Sequence, residues 1–198
     1  MNARAAGSHP QTSKRVCVIG LGNVLLGDDG FGPLAVEMFR CEYECGSNVE
    51  ILDLGTPGLD LAPYLYDLDF VIIADAVKAD ASPGTICVYS EDDVIAGRGQ
   101  LRLTAHDPGL QECIAQLKIA GHAPAELFVV GVVAGSCSLG ESFSAPVLAA
   151  VPAALEVIAS LLLDRDIECT RRHTPEEPNL WWASEEISRK ERAARSTE

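Results

Sequence analysis

Residues 70–77 read FVIIADAV. Apart from Asp75 every position is apolar, and β-branched residues dominate the first half. A run that is apolar on both of its faces, instead of alternating, belongs to a strand covered from both sides, which is the situation inside a parallel sheet between helical layers. Asp75 breaks the run near its end, and a charge at the end of a buried strand needs a partner.

Working outward, VCVIG (16–20) reads as a second buried strand, followed by a helix from about Asp29 to Glu44 whose apolar face is Phe31, Leu34, Met38 and Phe39. VEILDLG (49–55) is a strand and LDLAPYLYDL (59–68) a short helix. After FVIIADAV, Ser82-Pro83-Gly84 turns the chain into TICVYS (85–90), and so short a connection predicts that this strand runs antiparallel to the one before it. Asp107 has the character of an N-cap, with Pro108 at the first helical position, for a helix that runs to about Ala120 and stops at Gly121. ELFVVGVVA (126–134) is a fifth strand, and residues 144–163 form a long apolar helix. The order predicts an α/β fold with one domain over 15–163 and a five-stranded, mostly parallel sheet with helices on both faces. Residues 1–14 read as a flexible leader. Residues 164–198, charged and interrupted by Pro175 and Pro178, read as a weakly ordered tail in which Trp181-Trp182 is the one anchor, with a helix near 183–194.

Composition narrows the function classes. A chain of 198 residues with 47% hydrophobic content suits one folded domain. The leader has no apolar signal region, and apolar stretches of about ten residues fall short of the roughly 20 that span a bilayer. Residues 15–163 hold 6 Lys and Arg against 20 Asp and Glu, so the entire net charge of −14 resides there. Such an acidic domain is a poor partner for a phosphate backbone, and neither nucleic acid nor membrane is expected as a partner. The odd count of seven cysteines, most inside apolar runs, suits reduced thiols and a cytoplasmic location. Cys41 and Cys45 are one helical turn apart, but no second Cys/His pair completes a zinc site. The chain is expected to be a monomer.

In folds of this kind ligands bind beyond the C-terminal ends of the strands. There the sequence places GLGNVLLGDDGFG (20–32), DLGTPG (53–58), Asp75, and His106 in the loop before the Asp107 helix. Asp28 and Asp29 have an ordinary alternative as helix caps, Asp53 as the closure of a turn, and His106 as a surface residue. Two carboxylates with an imidazole make an O,O,N set suited to a divalent ion with open positions for water or substrate. The chain has no Gly-x-Ser-x-Gly elbow and no cysteine set beside an evident base. Gly20-x-Gly22 begins like a dinucleotide fingerprint, but the third glycine falls at Gly27, so the spacing fails. The opening Gly20-Leu21-Gly22-Asn23 is also shared with peptidyl-tRNA hydrolases, whose further motifs are absent.

Taken together, GLGNVLLGDDGFG (20–32), the Asp53–Thr56 turn, IIADAV (72–77), Pro83-Gly84, AHDPGL (105–110) and FVVGVVA (128–134) resemble the hydrogenase maturation proteases, the hydrogenase-specific C-terminal endopeptidases. One departure is Leu54, where the family commonly has the first glycine of Asp-Gly-Gly-Thr. The resemblance implies a twisted five-stranded sheet flanked by helices, with Asp29, Asp75 and His106 as metal ligands and as the catalytic set. It implies that the metal is nickel, carried in by the substrate, and that the partner is the precursor of a [NiFe] hydrogenase large subunit, from which a short C-terminal extension is removed. The metal would polarise the scissile carbonyl or deliver a bound hydroxide, with a carboxylate as general base. The rival expectation is an assembly checkpoint that binds the nickel-loaded precursor without cutting it.

Overall fold

The computed structural model describes residues 14–97, 100–101 and 109–182. In chain order the elements are β1 (Val16–Leu21), α1 (Phe31–Glu42), β2 (Tyr43–Cys45), β3 (Val49–Gly55), α2 (Ala62–Leu65), β4 (Phe70–Lys78), β5 (Ile86–Ser90), α3 (Glu91–Ile95), β6 (Gln100–Leu101), α4 (Leu110–Ala120), β7 (Leu127–Val133), α5 (Ala145–Leu163) and β8 (Cys169–Arg171). Single turns of 3-10 helix, Gly27–Gly30 and Gly58–Leu61, lead into α1 and α2.

The main sheet has the order β3-β1-β4-β7-β5, with β6 attached to the end of β4. β3, β1, β4 and β7 are parallel, and β5 is antiparallel to β7. Strand direction therefore follows the expectation for residues 85–90, but the neighbour differs: β7 lies between β4 and β5. Burial gives the reason. β7 is buried at six of its seven positions, whereas no residue of β5 is fully buried. The more apolar strand takes the interior place and the half-exposed one takes the edge. β4 has parallel neighbours on both sides and is buried from Phe70 to Val77.

Each face of the sheet carries its own core. Val16 and Val18, Ile72 and Ala74, and Val130 and Val132 point to one side, where Phe31, Leu34 and Phe39 of α1 and Ala154, Leu155 and Ile158 of α5 cover them. Cys17 and Ile19, Val71 and Ile73, and Val129 point to the other side, against Leu65 of α2, Val94 of α3 and Leu110, Ile114 and Leu117 of α4. The period-two alternation of strands thus sorts continuously apolar sequences into two separate layers.

Several boundaries differ from expectation. α1 ends at Glu42, since Tyr43 is already extended and begins β2. α4 starts at Leu110 with Gly109 in the cap position, so Asp107 is not its N-cap; Asp107 and Pro108 lie outside the described residues. Its other end is as expected, at Gly121 with φ 78°. α5 is longer and more apolar than a reading limited to ten-residue stretches allowed: its 19 residues have the length and hydropathy to cross a membrane. Val147, Ala150, Val151, Ala154, Leu155, Ile158, Ala159 and Leu162 are buried in the core, the pattern of a helix covering a sheet.

The largest difference is at the C-terminus. The chain does not finish its fold at Leu163. Ile167 and Cys169 are buried, and β8 pairs antiparallel with β2. The following segment runs back along α1: Arg172 N–H donates to Glu42 O (2.7 Å), Glu176 N–H to Cys41 O (3.0 Å) and Asn179 N–H to the Glu37 carboxylate (2.7 Å). Leu180 packs on the core while Trp181 is 72% exposed. The helix expected near 183–194 lies outside the described residues.

Candidate active site

The parallel sheet changes winding direction between β1 and β4, because β3 lies on one side of β1 and β4 on the other. A crevice at that point, outside the carboxyl ends of the strands, is where such folds bind ligands. The segment after β1 fills it. Here α1 approaches the sheet so closely that a Cβ on Gly32 would overlap the carbonyl oxygens of Leu21 and Ala74. Gly22, at φ 134°, passes equally close to the carbonyl of Asp29. Glycine is required at both places by space, and at the second also by conformation. This close approach brings Asp29, in the turn before α1, up to the end of β4.

Asp75 sits on β4 one residue beyond Ala74, its last pairing with β1, and is fully buried. Its Oδ1 accepts the Ala76 N–H (2.8 Å), while Oδ2 is buried with no hydrogen-bond partner. Burial, the negative charge of Asp29 beside it, and the opposing Ala76 N–H set its proton affinity, and the balance raises the pKa well above the usual carboxylate value. Asp29, 4% exposed, accepts the Asn23 N–H (3.0 Å). Two carboxyl groups thus share a water-poor crevice, one with an unsatisfied oxygen. A cation relieves both the repulsion and the missing bond, so the pair fits a divalent metal.

Asp28 has a different task. It is fully buried, and the partners of its carboxylate lie outside its own helical turn. Its carboxylate instead accepts from Gly135 N (2.7 Å), Ser136 N (3.1 Å), Ser144 N (2.6 Å) and Ser144 Oγ (2.8 Å), and its own N–H donates to Ser136 O (2.9 Å). It ties the loop after β7 to the loop after β1. Small and hydroxyl residues at a strand's C-terminal end, here AGSCS (134–138), are the sequence signal that marks this loop. We expect Asp28→Asn to lose about 1–3 kcal/mol of stability, because in the better of its two orientations the amide nitrogen faces the half-buried Ser144 N–H. The midpoint of urea unfolding measures it; an unchanged midpoint would mean that these bonds contribute little.

The other sequence candidates divide. Asp53 is exposed and its Oδ1 accepts the Gly55 N–H (3.0 Å), so it closes a turn after β3. The Leu54 position leaves this turn intact: Gly55 takes φ 55°, and its carbonyl accepts the Gly22 N–H (2.8 Å), linking the two loops. His106 lies outside the described residues. The described chain on either side of it is held on the sheet: Leu101 of β6 pairs with Val77 of β4, and Leu110 begins a helix that shares a core with Val71 and Ile73. Among the described residues no three His, Cys, Asp or Glu side chains group to hold a metal ion.

Comparison with known proteins places this architecture. Residues 33–161 match the family described as hydrogenase maturation protease (HycI). The chain is 35% identical over 164 residues to the hydrogenase expression/formation protein HupD of Rhizobium leguminosarum bv. viciae, covering 82% of this chain and 81% of that protein. It is 32% identical to the hydrogenase 2 maturation protease of Escherichia coli K12, over 80% of this chain and 96% of that one. The solved structure of the hydrogenase maturating endopeptidase HybD from E. coli superposes with a TM-score of 0.74 at 32% identity, over 80% of this chain and 98% of that chain. The chain belongs to the hydrogenase maturation protease family, and with it to the peptide hydrolases that act in hydrogenase maturation.

Proposed function

We propose that this chain is the endopeptidase that removes the C-terminal extension of a nickel-loaded [NiFe] hydrogenase large-subunit precursor, and that it recognises the nickel through Asp29, Asp75 and His106. The observation that carries the reading is the orphaned Oδ2 of Asp75, buried beside Asp29 at the point where the sheet changes winding direction. Without a cation one proton is best kept on this pair, since two adjacent buried carboxylates do not both ionise. A nickel ion presented by the substrate displaces that proton and is held by two oxygens and, from the loop, one nitrogen. The ion is part of the substrate; as a Lewis acid it makes the neighbouring peptide carbonyl more electrophilic. Asp29 and Asp75 then fix the position of that centre, and a carboxylate takes the proton of the attacking water.

Incubating the protein with a defined nickel-loaded precursor separates a protease from a checkpoint. The expected result is a large subunit shortened by the mass of its extension. Stable complex formation with the subunit still at full length would make the chain a checkpoint.

Cleavage is also expected to proceed unchanged in the presence of reagents that modify serine and cysteine nucleophiles. Among the described residues no cysteine groups with Asp29 and Asp75 as a metal-holding set; Cys17 and Cys113 are buried in the core, with the Cys17 thiol pushed up to about 12 by burial and by Glu50. Complete loss of cleavage on modifying a single cysteine would overturn the metal-based mechanism.

A further inference from the structure

Cys45 and Cys169 face each other across the small β2–β8 sheet, at the opposite end of α1 from the acidic crevice. The register is set by backbone bonds on either side: Gly46 N–H donates to Glu168 O (3.0 Å), and Arg172 N–H to Glu42 O (2.7 Å). In an antiparallel pair, hydrogen-bonded and non-hydrogen-bonded positions alternate. With 46 opposite 168 and 42 opposite 172 hydrogen-bonded, Cys45 and Cys169 occupy a non-hydrogen-bonded position. There the Cα atoms lie about 4.5 Å apart and the side chains are closest, within the roughly 4.4–6.8 Å that a disulfide bridges. The two Sγ atoms are in contact at 3.1 Å.

We propose that Cys45 and Cys169 are an oxidisable pair, which a low-molecular-weight disulfide such as oxidised glutathione converts to a cross-strand disulfide fastening the C-terminal segment to the end of α1. The partners differ in access: Cys45 is half-buried and Cys169 buried, so attack begins at Cys45. The thiols are also polarised in that sense. The hydrogen bond between the two thiols and the charge of Arg172 outweigh burial and hold the Cys45 thiol below its ordinary value, while that same bond and burial push Cys169 up. The Cys45 thiolate attacks one sulfur of the oxidant, expelling one thiolate and leaving a mixed disulfide. Cys169 then gives up its proton and attacks Cys45 Sγ, expelling the second thiolate. Two protein thiols are oxidised, one small disulfide is reduced to two thiols, and no other reactant is needed.

The consequence follows from what β8 carries. The segment from Arg172 to Asn179 is held on α1 by the bonds to Glu42, Cys41 and Glu37, and β2–β8 pairs only three residues on each strand. A ladder so short opens readily in the reduced protein. The disulfide joins residues 124 apart and removes that opening.

The test treats the full chain with oxidised glutathione and follows mass, peptide linkage and amide exchange. The proposal predicts loss of about 2 Da, a single linked peptide joining Cys45 to Cys169, and five of the seven thiols still free. It predicts that the Arg172 and Glu176 amides exchange at least about tenfold more slowly than in the reduced protein. Cys45→Ser and Cys169→Ser each block the link, and Cys169→Ser leaves Cys45 as a glutathione adduct. A stable adduct on the wild-type chain without closure, linkage of other cysteines, or seven free thiols after treatment would each overturn the pair. Closure without slower exchange at Arg172 and Glu176 would overturn the fastening of the segment.

Discussion

Asp75→Asn is expected to reduce precursor processing by on the order of 100-fold or more, since loss of a group that merely orients a metal ligand already costs roughly 10–100-fold. The fold should survive the change. Asp75 is buried and unsatisfied at Oδ2, next to Asp29, and its folded pKa is raised. A carboxyl whose pKa rises on folding favours the native state at low pH, and that contribution is lost as pH rises through the folded value. At neutral pH the group therefore opposes folding, and an uncharged amide of the same size removes the opposition. Thermal unfolding at pH 7 should give a transition equal to or above wild type, alongside the collapse in activity. Near-normal processing by a folded Asp75→Asn protein would remove Asp75 from the site. Loss of both activity and stability would make it a structural residue.

Truncation after Leu163 is expected to cost about 3–6 kcal/mol, because full burial of one large aliphatic side chain is worth about 1.5–3 kcal/mol and the deletion removes Ile167 and Cys169 from the core and half-buried Leu180 from its edge. It also leaves β2 unpaired. For a domain of this size the melting temperature should fall by roughly 6–24 °C. A shift of a degree or two would show that the segment beyond Leu163 only rests on the domain.

Most of the sheet was readable from the sequence because its strands are apolar on both faces and their glycine-rich ends punctuate them. FVIIADAV, VCVIG and FVVGVVA all lie inside the sheet. What was not readable depends on partners distant in the chain. Asp28 and Asp29 look alike as acids before a helix, yet Asp29 turns toward β4 while Asp28 binds Ser144, 116 residues away. Local capping rules cannot separate the two. The C-terminal segment hides its strand for a similar reason. CTR (169–171) is too short and too polar to read as a strand, and it becomes one through pairing with YEC (43–45). The place of β5 is also a competition between strands: β7 takes the position beside β4 because it is the more apolar of the two.

On the proposed mechanism, the substrate's own nickel licenses cleavage. It is tested most directly by mixing the purified protein with the same large-subunit precursor in nickel-loaded and nickel-free form and measuring the intact mass of the subunit over time. The loaded precursor is expected to lose its C-terminal extension while the nickel-free precursor keeps its full mass. Equal cleavage of both forms would contradict it.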